Sequence, residues 1–480
     1  MNAKKIIFKN SFYLISSSLV CRGLLFLIIY YMAIKMGSES LGIYAFAQSL
    51  LVFGIYFSNL GMRLYGVREV VKNQNNYSRV YSELFTLGFF MKIFMFIVLS
   101  CFILLFGFSR EKTVVCILFL AAVFPDIIIA PANVLFNAKE KLGYPAIIDV
   151  IIRICYSILA LLIIKFHEDL VEIALSNLIC YLLGSFILLY YSSQLFEFPR
   201  LSINFHHLFE RFKALIPFAL INVFGIIYVG IDFIMLSLMR GDKAVGWYKI
   251  GVLIPQEGMF LLRFFSLSLI PLLTRYYMKN KNELTKQVLR LCKLYSILTL
   301  PVALVVSFYA KEILMLFFPH EFFRASYALM ILIWFVPFQF ICSPFLIALQ
   351  IDDKQVIITK ISAFLALLNI VLNWVFIFLI GGDLVCMGPA IGTLISTIVA
   401  VILIIRTYNL QVARIEFFAV VRRPLNAFMI SLISLLLIFK FLNPLVTILL
   451  VMSVYFILLR IYGEFSFSNI RLFLKRFQED

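Results

Sequence analysis

Charge is what this sequence has least of. Only 14% of its 480 residues are charged, whereas 63% are hydrophobic and the mean hydropathy is +1.02, a balance no soluble globular domain shows. No polar stretch is long enough to make a sizeable soluble domain. Apolar runs of about 20 residues recur along the whole chain, the length at which a helix, rather than a tilted barrel strand, crosses a bilayer. The chain reads as an all-α, multi-pass membrane protein.

Other scarcities narrow the function. The four histidines, His167, His206, His207 and His320, form no HExxH pattern and fall in connections, which argues against a metal site and offers no acyl-transfer base. The eight cysteines include no CxxC pair and read as small core residues. The outer connections are too short for the glycan chemistry of a membrane polymerase. An enzyme is therefore not expected. The N-terminus, MNAKKIIFKN, is basic but precedes no A-x-A-like cleavage site, so it reads as an uncleaved first helix.

The formal net charge of +17 would point to nucleic acid in a soluble protein. Here Lys and Arg lie in short segments between apolar spans, about 26 of them on the N-terminal side against about 9 on the other, so the positive-inside rule accounts for them. No nucleic-acid partner is expected. Both termini are placed in the cytoplasm and the chain in the cytoplasmic (inner) membrane.

Apolar windows predict about 14 transmembrane helices, at roughly 10–35, 41–64, 80–107, 113–137, 145–165, 169–191, 213–239, 244–274, 286–309, 324–351, 355–380, 385–406, 424–442 and 444–462. An internal repeat runs through them. MGSESLGIY matches RGDKAVGWY through Gly37/Gly241, Gly42/Gly246 and Tyr44/Tyr248; Glu140-Lys141 matches Asp353-Lys354, and Asp169-Leu170-Val171 matches Asp383-Leu384-Val385. The domain plan is an N-terminal six-helix lobe (1–195), a cytoplasmic interfacial linker (196–212), a C-terminal six-helix lobe (213–408), two further helices (424–462) and a cytoplasmic tail (463–480). Six is even, so the lobes form a parallel repeat about the membrane normal, the plan of transporters that bind substrate between two halves.

Charges at membrane depth are the informative residues, because each must face a partner or water. The basic ones are Arg22, inside SSSLVCRGLLFLIIYYMA, with Lys92, Arg153, Arg263 and Lys360; the acidic ones are Asp126, Asp149, Asp232 and Glu257. Some have structural readings: Asp149 and Arg153 are spaced to neutralise each other, Asp126 follows Pro125 and can satisfy freed backbone groups, and Lys360 can snorkel to the interface. Arg22 and Arg263 have no acid three or four residues away on their own helices. A guanidinium donates a bidentate fork suited to phosphate. Asn369 and Asn373, with tyrosines, are groups that can recognise a sugar.

Three stretches, MGSESLGIYAFAQSLLVFGIYFSNLGMRLYGVREV (36–70), PANVLFNAKEKLGYPAI (131–147) and NIVLNWVFIFLIGGDLVCMGPAIGTLIS (369–396), give the chain a resemblance to Wzx-type O-antigen or capsule repeat-unit flippases of the multidrug/oligosaccharidyl-lipid/polysaccharide (MOP) exporter superfamily. Where the family more often has Trp-x-Phe-Gln-Gly, this chain has Val134 to Ala138. The resemblance implies a MATE-like pair of bundles moving an undecaprenyl-pyrophosphate-linked oligosaccharide to the outer leaflet by alternating access, as in lipopolysaccharide synthesis. It implies lumen cations at Arg22 and Arg263, with Lys92, Arg153 and Lys360 as further substrate-binding candidates and Arg63 and Arg68 receiving the head group. Asp149, Asp232 and Glu257 are the candidates for a coupling ion, Na⁺ or H⁺; no other cofactor is expected. Expected partners are the lipid-linked sugar, membrane lipids, and a polysaccharide polymerase and chain-length regulator. The competing readings are a MATE-type cation antiporter and a membrane polymerase or acyltransferase.

Overall fold

A computed structural model describes the backbone of residues 3–73, 76–196, 198–201, 204–408, 412–438 and 443–464, and the side chains of these except 3–15, 205, 221, 263–264, 267–268, 412–416 and 418. The described residues form helices and turns without a strand. In chain order the helices are α1 Ala3–Lys35, α2 Gly37–Asn59, α3 Met62–Lys72, α4 Tyr77–Leu105, α5 Arg110–Ala121, α6 Asp126–Ala138, α7 Gly143–Phe166, α8 Leu170–Leu195 and α9 Phe205–Arg240. There follow α10 Asp242–Lys279, α11 Lys281–Phe308, α12 Ala310–Phe317, α13 Ala325–Leu332, α14 Phe335–Ile351, α15 Gln355–Leu379, α16 Met387–Tyr408, α17 Val412–Ile438 and α18 Pro444–Ile461. Thirteen spans among the described residues are long and apolar enough to cross a membrane. The eighth expected span lies within α10, a 38-residue helix with Pro255 and Pro271 inside it.

Several spans differ from the sequence reading in length and continuity. The second runs Gly37–Lys72 and breaks where Leu60 and Gly61 both turn left-handed. A side chain on Gly61 would meet the Phe218 backbone, which is why glycine sits at that break. The fourth is divided at residues 122–125, just before α6. The tail 465–480, expected to lie on the membrane surface, falls outside the described residues.

Matched backbone turns carry the internal repeat. Gly37 and Gly241 have φ of 76° and 83°, Glu140 and Asp353 have 56° and 55°, and Glu168 and Gly382 have 55° and 62°. The acid-Lys steps end their helices alike: the Lys141 amide donates to the Phe136 carbonyl and the Lys354 amide to that of Leu349, closing the last turn in the Schellman manner. Near Pro125 and Pro337 the helix ladder tightens in both halves, with bonds such as Ala122 to Phe119 and Trp334 to Ile331.

The described residues divide into two compact units. Unit 1 holds residues 1–250, 317–324 and 362–389. Within it α1 packs on α7, α7 on α8, α2 on α5 and α9, and α3 on α6. Met62, Tyr81, Leu84, Leu135, Leu208 and Leu215 form one of its cores. Leu208 and Leu215 belong to the early part of α9, so this stretch is anchored on α3 and α4. Arg211 fixes it further, donating to Glu83 at 2.8 Å, Glu69 at 2.9 Å and the Tyr65 hydroxyl at 2.7 Å.

Unit 2 holds residues 251–316, 325–361 and 390–480. Its α11 packs against α14 and α17, and α17 against α18. Ile297 and Leu304 of α11 meet Ala427, Leu435, Val451 and Tyr455. The two helices beyond the repeat are thus seated on α11, and Glu464 pairs there with Lys293 and with Arg423.

Candidate functional site

Spans that are apolar all round carry few polar groups, so the polar contacts inside unit 1 are conspicuous. They fall into separate clusters.

The first lies where α1 and α2 meet α7 and α8. Cys21 donates to Asp149 Oδ2 at 3.7 Å, and Asp149 pairs with Arg153 at 3.3 Å. Arg153 also donates to the Tyr181 hydroxyl at 3.4 Å, and the buried Tyr44 and Tyr156 hydroxyls are 3.4 Å apart. Arg22 follows Cys21 and is half-buried. The Cys21–Asp149 contact brings its stretch of α1 beside the Asp149–Arg153 turn of α7. The Asp149 and Arg153 side chains keep 55% and 35% exposure, so their pairing leaves donors accessible.

The second cluster is closed. Lys92 Nζ donates to Asn59 Oδ1 at 2.8 Å and lies 3.4 Å from Asp126 Oδ2, which accepts from Asn59 Nδ2 at 2.8 Å. Lys92 is fully enclosed. Asp126 meets side chains from α2 and α4, a cross-helix role beyond the local backbone function expected for it. The triad joins the two helix breaks at Leu60–Gly61 and Pro125.

The third centres on Asp232 of α9, a buried carboxylate. Tyr248 of α10 donates to its Oδ2 at 2.7 Å and Asn373 of α15 to its Oδ1 at 2.6 Å; Asn373 also donates to Asn369 Oδ1 at 3.0 Å. The Asn373 Oδ1 atom is buried and accepts no hydrogen bond among the described residues. Oxygen donors of this kind suit a hard monovalent or divalent cation. Among the described residues no three or more His, Cys, Asp or Glu gather as a metal site.

The remaining candidates are dispersed. Arg63 and Arg68 are exposed on α3, and Glu257 and Lys360 are exposed in unit 2. The Arg263 side chain lies outside the described residues. Sequence reasoning passed over two buried lysines. Lys112 of α5 pairs with Asp242 at 2.7 Å, and Lys249 of α10 donates to Gln48 Oε1 at 3.3 Å. Both stand near the expected ends of spans, where a basic residue reads as a flank.

The helices, their repeat and the buried polar clusters define a class: a multi-pass membrane protein with the MOP exporter fold. A structure described as "Lipid II flippase MurJ, inward closed conformation" aligns with a TM-score of 0.74 over 93% of this chain and 97% of its own, at 16% identity. An inward-facing multidrug resistance MATE family transporter of the MOP superfamily aligns at 0.63 over 84% and 96%, at 14% identity. A Vibrio cholerae MATE transporter, VcmN, aligns at 0.54 over 84% and 96%, also at 14% identity. Among curated protein sequences none matches. The family described as "Polysaccharide biosynthesis protein" matches residues 7–277, and MatE matches residues 217–375. The chain belongs to the polysaccharide biosynthesis protein family.

Proposed function

We propose that this protein is a flippase carrying an undecaprenyl-pyrophosphate-linked oligosaccharide, an O-antigen or capsule repeat unit, from the cytoplasmic to the outer leaflet by alternating access. The observation that carries the reading is the α1–α7 cluster, where Arg153 meets Asp149 at membrane depth with both side chains partly exposed, and Arg22 follows Cys21, which itself contacts Asp149. Guanidiniums at that depth face a partner or water, and their bidentate fork suits a phosphate ligand. Family membership and the fold shared with a lipid II flippase support the lipid-linked class of substrate. Arg263 adds a further cation in this reading, and Arg63 and Arg68 receive the head group on the cytoplasmic side.

An inside-negative potential favours outward movement of the pyrophosphate by about 2.3 kcal/mol per charge per 100 mV. Return of a cation-rich carrier is the step that an ion can drive. Asp232 takes that ion, Na⁺ or H⁺, with Asn369 and Asn373 supplying amide oxygens.

The test is surface glycan display in a strain lacking the gene. Arg22→Ala with Arg263→Ala should abolish display while the protein remains inserted, and Lys at each position should restore it only in part, because the bidentate fork is lost. Full display by the double alanine variant would refute the reading. The MatE match over residues 217–375, which includes Asp232, favours a second reading, a cation antiporter. Extrusion of a cationic dye by the wild type, with glycan display unaffected by its deletion, would establish that one instead.

A further inference from the structure

The two copies of the repeated turn motif meet each other. A methyl on Gly42 would overlap the Asp242 carbonyl oxygen, and one on Gly246 would overlap that of Ser38. Gly42 and Gly246 are equivalent in the repeat, as are Ser38 and Asp242, so the contact is reciprocal in the way of a two-fold interface. Glu39 and Lys243, also equivalent, form an ion pair across it at 3.5 Å. Glycine is required at both positions because backbone touches backbone.

Lys112 fastens this crossing from the side. Its ammonium lies 2.7 Å from both Ser237 Oγ and Asp242 Oδ1, and 4.3 and 4.1 Å from the Phe46 and Phe108 ring centres. It ties α5 to the α9–α10 turn. At the two glycines backbone meets backbone, and the Glu39–Lys243 pair beside them is exposed to solvent.

Lys249 sits one helical turn beyond Gly246 and is 7% exposed. It reaches back across the crossing to Gln48 Oε1 at 3.3 Å, with the Phe233 ring centre at 5.5 Å. The other two buried lysines of unit 1, Lys92 and Lys112, have carboxylates at 3.4 and 2.7 Å. Among the described residues Lys249 has no carboxylate within ion-pairing distance. An enclosed ammonium without a counter-charge is unfavourable, and an anion removes the penalty.

We propose that the α2–α10 crossing is the outer gate and that Lys249 is the residue through which a phosphate-bearing anion opens it; the ligand class rests on the flippase reading. In the closed crossing the ammonium is enclosed and its hydrogen bond is spent on Gln48. Once the helices part, the ammonium meets the anion directly. An anion therefore binds the parted state better, which is the differential affinity a ligand needs to shift the equilibrium.

The experiment uses full-length protein in detergent with Glu39→Cys and Lys243→Cys, the exposed Cys101 and Cys155 replaced by serine, and a short bifunctional thiol reagent. Cross-linking should be fast without ligand and slow about fivefold or more with inorganic pyrophosphate, relative to chloride at matched ionic strength. Lys249→Met should cross-link at the unliganded rate and ignore pyrophosphate, whereas Lys249→Arg should retain the response. Lys249→Gln replaces the Met variant if that one fails to insert. Equal slowing in the Met or Gln variant overturns the role of Lys249. Glycan display by cells whose protein is fully cross-linked overturns the gate. A wild-type crossing indifferent to pyrophosphate, in a protein whose cross-link stops display, overturns the anion response and leaves the flippase reading standing. A cross-link that stops cation extrusion while display continues overturns the flippase reading.

Discussion

Replacing Asp126 by Asn removes the carboxylate that lies 3.4 Å from Lys92 Nζ in a nearly enclosed site. Lys92 is fully enclosed and would keep only Asn59 Oδ1 at 2.8 Å. Breaking a buried pair from one side costs about 3–5 kcal/mol, or roughly 10²- to 10⁴-fold in the folding equilibrium. Lys92→Met combined with Asp126→Asn removes both charges and should lie within about 1 kcal/mol of the wild type. A double-mutant cycle on detergent-purified protein, followed by thermal denaturation, measures the difference. The reasoning fails if Asp126→Asn alone is no less stable than the double variant. Glycan display supplies the second readout: a stable double variant that no longer displays glycan would give Lys92 a part in transport, whereas full display would make the triad a brace for the two helix breaks.

An alkaline phosphatase fusion after Gly241 should be active and one after Asn282 silent, because the basic connection near 275–290 is retained in the cytoplasm; the reverse pattern would invert the orientation. In proteoliposomes at fixed potential, Asp232→Asn should bind the lipid-linked sugar normally yet lose the response to an imposed Na⁺ or H⁺ gradient, and a wild type indifferent to both would remove the ion from the mechanism. Asp352, between two spans, accepts from Lys281, Lys354 and Tyr277, which hold its carboxyl down to about 2 from 3.8. A lowered acid stabilises above its ordinary value and loses that contribution only as pH falls through the lowered one. The stability deficit of Asp352→Asn should therefore be constant from about pH 8 to about pH 4 and shrink below that; a deficit that closes between about pH 7 and 5 would show that another group is responsible.

What the sequence discloses is whatever local chain geometry forces on residue type. The repeat was legible at Gly37/Gly241 because a left-handed turn excludes most side chains, and at Glu140/Asp353 because a polar residue tolerates the same conformation before a lysine. Helix existence was legible from apolar length alone. The partners of buried charges were not, because a span that is apolar on all sides carries no stripe to show its rotation. Lys92 and Asp126 were both conspicuous as charges at depth, yet nothing in either helix said that they face each other. The pairing of Asp149 with Arg153 could be read, since i and i+4 meet whatever the helix does around them.

The tyrosines of the repeat show how two copies of one motif come to do different work. Tyr44 and Tyr248 occupy the same position in it, and both are buried. Tyr44 meets the phenol of Tyr156 at 3.4 Å, whereas Tyr248 donates to the carboxylate of Asp232 at 2.7 Å. The residue that stands as far before Gly37 as Asp232 stands before Gly241 is Ile28, a buried aliphatic. The first copy therefore has no acid at the place where the second has one; its half carries Arg22 and, on α7, Arg153 with Asp149, besides the Lys92–Asp126 pair. In the proposed mechanism one copy supplies guanidiniums for an anion and the other a carboxylate and amide oxygens for a cation. A parallel repeat makes the two halves alike in backbone, so a carrier built on it can divide substrate from coupling ion only by side-chain exchange of this sort. The proposed flippase keeps the two chemistries on different helices, the anion site on α1 and α7 and the cation site on α9 and α15.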